Sequence, residues 1–98
     1  MLKLIKGDVF EISICPCDIP AMLIDRLVFS SKDLNIEEDA FIDNCTFHVR
    51  IVGERTKDFP IGFVHYDLTV FLVDGQRLTI KHNELIEIVG KMNEVRDE

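Results

Sequence analysis

Apolar residues recur at every second position in two stretches of the second half of the chain. In "CTFHVRIV", Cys45, Phe47, Val49 and Ile51 alternate with Thr46, His48 and Arg50. In "FVHYDLTVFLV", Val64, Tyr66, Leu68, Val70 and Leu72 share one parity. Period two is the signature of a strand with one buried face. The polar "GERTKDFPI" between them, punctuated by Gly53 and Pro60, reads as a loop. An antiparallel pairing with Phe47 opposite Leu68 sets Val49 against Tyr66 and Ile51 against Val64. It also places Thr46 with Thr69, His48 with Asp67 and Arg50 with His65 on the other face. A slip of one residue would mix the two faces, which favours this register.

The dipeptide Asp74-Gly75 marks a hairpin. A left-handed Gly75 adds one residue as a bulge, bringing Val70 opposite Leu78 and Leu68 opposite Ile80. The pattern therefore predicts a three-stranded meander over 45–52, 62–73 and 76–82. At the start of the chain, a turn at Lys6-Gly7-Asp8 would pair Leu4 with Phe10, Leu2 with Ile12 and Lys3 with Glu11. The expectation there is a hairpin of 2–5 with 9–15.

After residue 82 the spacing turns helical. Leu85, Ile88, Val89 and Met92 fall on one helix face, Asn83 suits an N-cap, and Glu84 and Glu87 suit a helix start. Two stretches show no clean period. "PAMLIDRLVFSS" allows a short helix opened by Asp18 and Pro20, or a strand in "RLVFSS". "KDLNIEEDAFID" reads as a loop holding one helical turn. The predicted fold class is α+β: one small domain, with a curved, mostly antiparallel sheet packed against a C-terminal helix. Two hairpins and a bulge give that sheet the means to close partly into a small barrel. Open edge strands would pair between copies, so a homodimer through an edge strand is the expected assembly.

Composition narrows the function classes. The 98 residues fit one domain, and 47% hydrophobic with 30% charged residues is a folding composition. A formal charge of −7 argues against nucleic acid and anionic membrane surfaces as partners, since both recruit clustered Lys and Arg. "MLKLIKGDVF" carries a charge every few residues and does not read as a signal peptide. Together with an odd cysteine count, this makes the expected location cytoplasmic.

Three groups of residues are candidates for chemistry. Cys15, Cys17, Cys45 and His48 are the right number and type of ligand for structural zinc. Only Pro16 separates the first two, however, and along a strand Cys45 and His48 point to opposite faces. Buried or half-buried structural thiols are the simpler account, and Cys-Pro-Cys is a poor redox pair because its disulfide ring would be small and strained. The paired His48 and Asp67 form an acid/base couple for a small enzyme, with Thr46 or Thr69 in diagonal reach. Opposite charges on a solvated sheet face explain that pair equally well, and a flat sheet offers no water-excluding pocket. No glycine-rich phosphate loop or hydrolase motif is present. The reading is of no catalytic, cofactor or metal residues.

The third group is acidic. Residues 33–43, "DLNIEEDAFID", hold five carboxylates and no base, interleaved with Leu34, Ile36, Phe41 and Ile42. Carboxylates steer a basic partner and apolar anchors lock it. The sequence therefore reads as a non-enzymatic interaction protein, such as an inhibitor, an immunity-type protein or an accessory subunit. It would dock a basic protein surface through Asp33, Glu37, Glu38, Asp39, Phe41 and Asp43 and the adjoining sheet face. None of these residues points to a known family.

Overall fold

A computed structural model describes residues 2–16 and 18–90. It contains eight strands: β1 (Leu2–Ile5), β2 (Phe10–Ile14), β3 (Ile24–Ser31), β4 (Ile36–Asp39), β5 (Phe41–Asp43), β6 (Thr46–Ile51), β7 (Gly62–Leu72) and β8 (Arg77–Val89). Among the described residues, helical structure is confined to a 3-10 turn at Ala21–Leu23 and a single α-turn at Gly53–Thr56. The strands form two sheets, one of order β1-β8-β7-β3-β4 and the other of order β2-β6-β5. The chain changes sheet between β1 and β2, β2 and β3, β4 and β5, and β6 and β7.

One hydrophobic core joins the sheets. From the larger sheet come Leu4, Leu27, Phe29, Tyr66, Val70, Ile86 and Ile88; from the smaller come Phe10, Phe47, Val49 and Ile51. Phe29 is fully enclosed, stacked on Tyr66 at 5.2 Å between ring centroids and tilted against Phe10 at 6.1 Å. Aromatic contacts of this kind add to the burial energy of the rings themselves.

The architecture is nearly all β, which corrects the α+β expectation at four points. First, β6 and β7 lie in different sheets, so Phe47 and Leu68 belong to facing walls of the core. The pairings of His48 with Asp67, Thr46 with Thr69 and Arg50 with His65 therefore do not form; β6 pairs with β2 and β5. Alternation fixes which face of a strand is buried. It does not distinguish a neighbour in the same sheet from one across the core.

Second, the strands at 2–5 and 10–14 form without pairing to each other. Leu4 lies opposite Ile88 in a parallel pair, and Phe10 lies opposite Ile51 in an antiparallel one. The Lys6–Asp8 turn is the crossing between sheets, closed by the Asp8 amide donating to the Ile5 carbonyl at 3.1 Å.

Third, among the described residues no C-terminal helix packs on the sheet: residues 83–89 continue β8 as a strand. "ELIEIV" satisfies both periods, but Ile86 and Ile88 are fully buried while Leu85 is 39% exposed, so the two-residue period holds. Pairing with β1 on one side and β7 on the other outweighs helical spacing, as β-branched residues favour. Asn83 is no helix cap but a left-handed residue within the strand, at φ 58°. Met92 lies outside the described residues.

Fourth, the acidic stretch forms strands β4 and β5 where a helical turn in a loop was expected. The ambiguous stretch before it holds both alternatives, the 3-10 turn and then β3. Leu27, Val28 and Phe29 are all buried, so β3 shows no alternation: Leu27 and Phe29 belong to the core, while Val28, on the other face, lies in a row with Asp39 and Thr69.

The β7–β8 hairpin forms as the pattern predicts. Gly75 takes φ 92°, its amide donates to the Leu72 carbonyl at 3.0 Å, and Val70 sits opposite Leu78. Irregularities between Tyr66 and Thr69 then bring Leu68 opposite Lys81, one residue beyond the expected Ile80.

Candidate interaction surface

The segment from β4 to β5 forms one margin of the sandwich. β4 is an outer strand of the five-stranded sheet and β5 an outer strand of the three-stranded one. Between them, the Ala40 amide donates to the Leu27 carbonyl at 2.8 Å, pinning the crossover. β5 is short and exposed throughout; Phe41 is 51% and Ile42 54% accessible. The Phe41 ring rests beside His48 at 5.3 Å, and His48 Nδ1 is in turn 2.9 Å from Ser13 Oγ.

The acidic residues divide into committed and outward-facing groups. Asp39 pairs with Arg26 at 3.0 Å, and the Arg26 guanidinium lies over Phe71 at 4.8 Å. Glu38 is ion-paired to Arg55. Asp33 stands apart from the margin, in the turn after β3. Its Oδ2 accepts the His65 amide at 2.8 Å and lies 3.1 Å from His65 Nδ1. These contacts, led by the backbone one, favour the ionised carboxyl and hold it below the ordinary aspartate range. Glu37 and Asp43 form no ion pair among the described residues and are exposed, opposite Ser30 and Thr46 respectively. The structure thus brings Glu37, Glu38, Asp39, Phe41 and Asp43 to one margin and leaves Asp33 with His65.

Asp33 and His65 help to line a shallow cleft of about 220 Å³ on the larger sheet, bounded on the far side by Asp67, His82 and Asn83. Asp67 Oδ1 accepts the Asn83 amide at 2.7 Å and lies 3.4 Å from His82 Nδ1. Each carboxylate is satisfied by one backbone amide and one imidazole. The Ser31 hydroxyl donates to the His65 carbonyl at 2.7 Å, so it is not poised as a nucleophile. These contacts fix the β3–β4 turn and the β8 bulge.

The other two candidate groups are not assembled. His48 and Asp67 sit in different sheets, His48 with Ser13 and Asp67 with Asn83 and His82. Cys15 and Cys45 are exposed, Cys17 lies outside the described residues, and no cluster of three His, Cys, Asp or Glu side chains among the described residues is placed to hold a metal ion. Cys45 has φ 67°, in the β5–β6 turn beside Asn44 at 50°, so its position is set by the turn.

One feature of the surface escaped the sequence reading. β1 covers β8 only from Ile86 to Val89, so Arg77–His82 has a neighbour, β7, on one side alone among the described residues. This stretch carries Arg77, Lys81 and His82 and no acid. Alternation with basic residues is how an open edge reads in sequence; expecting a helix from residue 83 obscured where the edge ended.

The fold has a solved counterpart. The structures of Clostridium thermocellum CbhA fibronectin(III)-like modules include a chain that matches over 92% of this one with a TM-score of 0.60 and 13% identity. The match spans 42% of that chain, less than half its length, and at this identity the likeness is one of fold. The architecture is a fibronectin III-like sandwich, two sheets packed face to face. No protein-family description and no curated protein matches the sequence. Among the described residues, no helix is long and apolar enough to cross a membrane.

Proposed function

We propose that the chain is a non-enzymatic binding module whose β4–β5 margin docks a basic, extended segment of a partner protein. The observation that carries this reading is the exposure of Phe41 and Ile42, each more than half accessible, on an open edge strand bordered by Glu37 and Asp43. An edge strand offers backbone hydrogen-bonding groups, the two apolar side chains supply anchors, and the carboxylates favour Lys and Arg. The net charge of −7 extends the same preference over longer range. A cytosolic setting accords with the exposed Cys45 thiol.

A synthetic strand-forming peptide of alternating Lys and Val is a direct probe. Calorimetric titration should show binding that weakens steeply with added salt. Phe41→Ser and Asp43→Lys should each weaken it about tenfold, with thermal unfolding unchanged. Full affinity in both variants overturns the reading.

A further inference from the structure

The five-stranded sheet ends in two edges of opposite sign. At one end, β4 carries Glu37, Glu38 and Asp39. At the other, β1 leaves Arg77–Leu85 of β8 uncovered; this stretch carries Arg77, Lys81 and His82 before Asn83, and Glu84 after it. The bulge at the left-handed Asn83 divides this open stretch, and the basic part before it suits a partner strand as short as β4.

We infer that the β8 edge is occupied by β4 of a second copy of this chain, so that the larger sheet continues from copy to copy. This rests on reading the acidic margin as a docking surface, and it names a partner for the β4 part of that margin. Strand direction agrees. β4 is antiparallel to β3, β3 to β7 and β7 to β8, so β4 and β8 run in opposite senses. A copy laid alongside in the same orientation meets β8 in an antiparallel pairing.

Register agrees as well. Asp39, Val28, Thr69 and Thr79 form one row across the sheet. Extending that row places Asp39 of the second copy beside Thr79 on the face of Arg77. The next row, Glu38, Phe29, Leu68 and Lys81, places its Glu38 beside Lys81. Both carboxylates keep their ion pairs to Arg26 and Arg55 within their own copy. Opposite charges at facing and diagonal positions are the pairs that stabilise such contacts. Leu78, 46% exposed although its register partner Val70 is fully buried, gains cover from the added strand.

Charge also disfavours the symmetric alternatives. Two β4 edges would set three carboxylates against their own copies, and two β8 edges would bring three basic residues of each copy together with a single acid, Glu84, to offset them. The unlike pairing is the most attractive of the three, so the contact is head-to-tail and leaves one edge of each kind open for further copies.

Sedimentation velocity on the full chain, from micromolar to millimolar concentration, tests this. The wild type should form dimers and longer species that dissociate with added salt. Arg77→Glu with Lys81→Glu, and separately Glu37→Lys with Asp39→Lys, should each leave a folded monomer by circular dichroism, with association weakened at least about tenfold. Mixing the two variants should restore assembly, because each supplies the edge the other has lost. A wild type that stays monomeric, or variants that associate as it does, overturns the inference. Binding of the Lys-Val peptide to that monomer, still weakened by Phe41→Ser, would leave the docking function standing on its own.

Discussion

The Thr56 hydroxyl donates to the Asp8 carbonyl at 2.7 Å across 48 positions of sequence, and the same oxygen accepts the Gly7 amide at 3.0 Å. Thr56 is fully buried. It ties the short helical turn before β7 to the crossing between β1 and β2, two of the places where the chain changes sheet. Thr56→Val keeps the shape and removes the hydroxyl, leaving a carbonyl and an amide without this partner. The expected loss is about 1–3 kcal/mol of stability by urea unfolding, with Thr56→Ser retaining most of the wild-type value.

Phe29 makes the matching claim for the core. Its ring is fully enclosed and touches Tyr66 in its own sheet and Phe10 in the facing one. Phe29→Ala should cost about 3–5 kcal/mol, toward the upper part of that range because rings on two sides cannot both close the gap. Phe29→Leu should cost clearly less. Equal costs would mean that the stacking and fit of the ring, not the apolar area it fills, account for the loss.

Where the alternation is clean, strand positions and buried faces were legible in the sequence; the partners, and the strands over 36–43 and 83–89, were not. The predicted strands over 45–52 and 62–73 and the hairpin rest on local alternation and on Gly75; the structure forms them as Thr46–Ile51, Gly62–Leu72 and the turn at Gly75. Deciding that Phe47 faces Leu68 across a core, and does not sit beside it, requires knowing where β2 and β3 go. No periodicity of 46–51 encodes that. The C-terminal helix failed because Ile88 and Val89 suit either period and the deciding contact, Leu4 opposite Ile88, joins opposite ends of the chain. Of the proposed interaction surface, Glu37, Phe41 and Asp43 were singled out by composition, and the structure leaves all three exposed. Asp33 was grouped with them by sequence proximity, yet the fold turns it to His65.

Asn83 tests whether the β8 bulge is built by backbone conformation. At φ 58° it occupies the left-handed region, which Asn and Gly enter most readily, and its amide is given to Asp67. Asn83→Gly should be close to neutral, whereas Asn83→Ala should cost about 1 kcal/mol and Asn83→Val more. Equal stability for all three would show that the bulge relaxes at no cost, and the Arg77–His82 edge would then lose its fixed end.

The Asp33–His65 contact predicts a pH dependence with a definite sign. Hydrogen bonds from the His65 amide and ring favour ionised Asp33, so its pKa is lower in the folded chain than in the unfolded one. The unfolded chain therefore binds the extra proton first as pH falls. The contribution is complete above the ordinary aspartate value of about 3.9 and disappears as pH drops through the lower folded value. Tyr66 sets the opposite limit. Burial, with a smaller effect of nearby Glu84, pushes its pKa up, so stability should decline as pH rises past about 10, where the unfolded tyrosine begins to ionise. Urea midpoints for the wild type and Asp33→Asn between pH 2 and 7 isolate the acid limb, because every other group titrates in both. The wild type should lead at neutral pH and the two curves should converge as the carboxylate is protonated. Since Asp33 is solvent-exposed, the gap should be small and should narrow in salt. A constant gap across the whole range would mean that the variant perturbs the turn for reasons other than the charge.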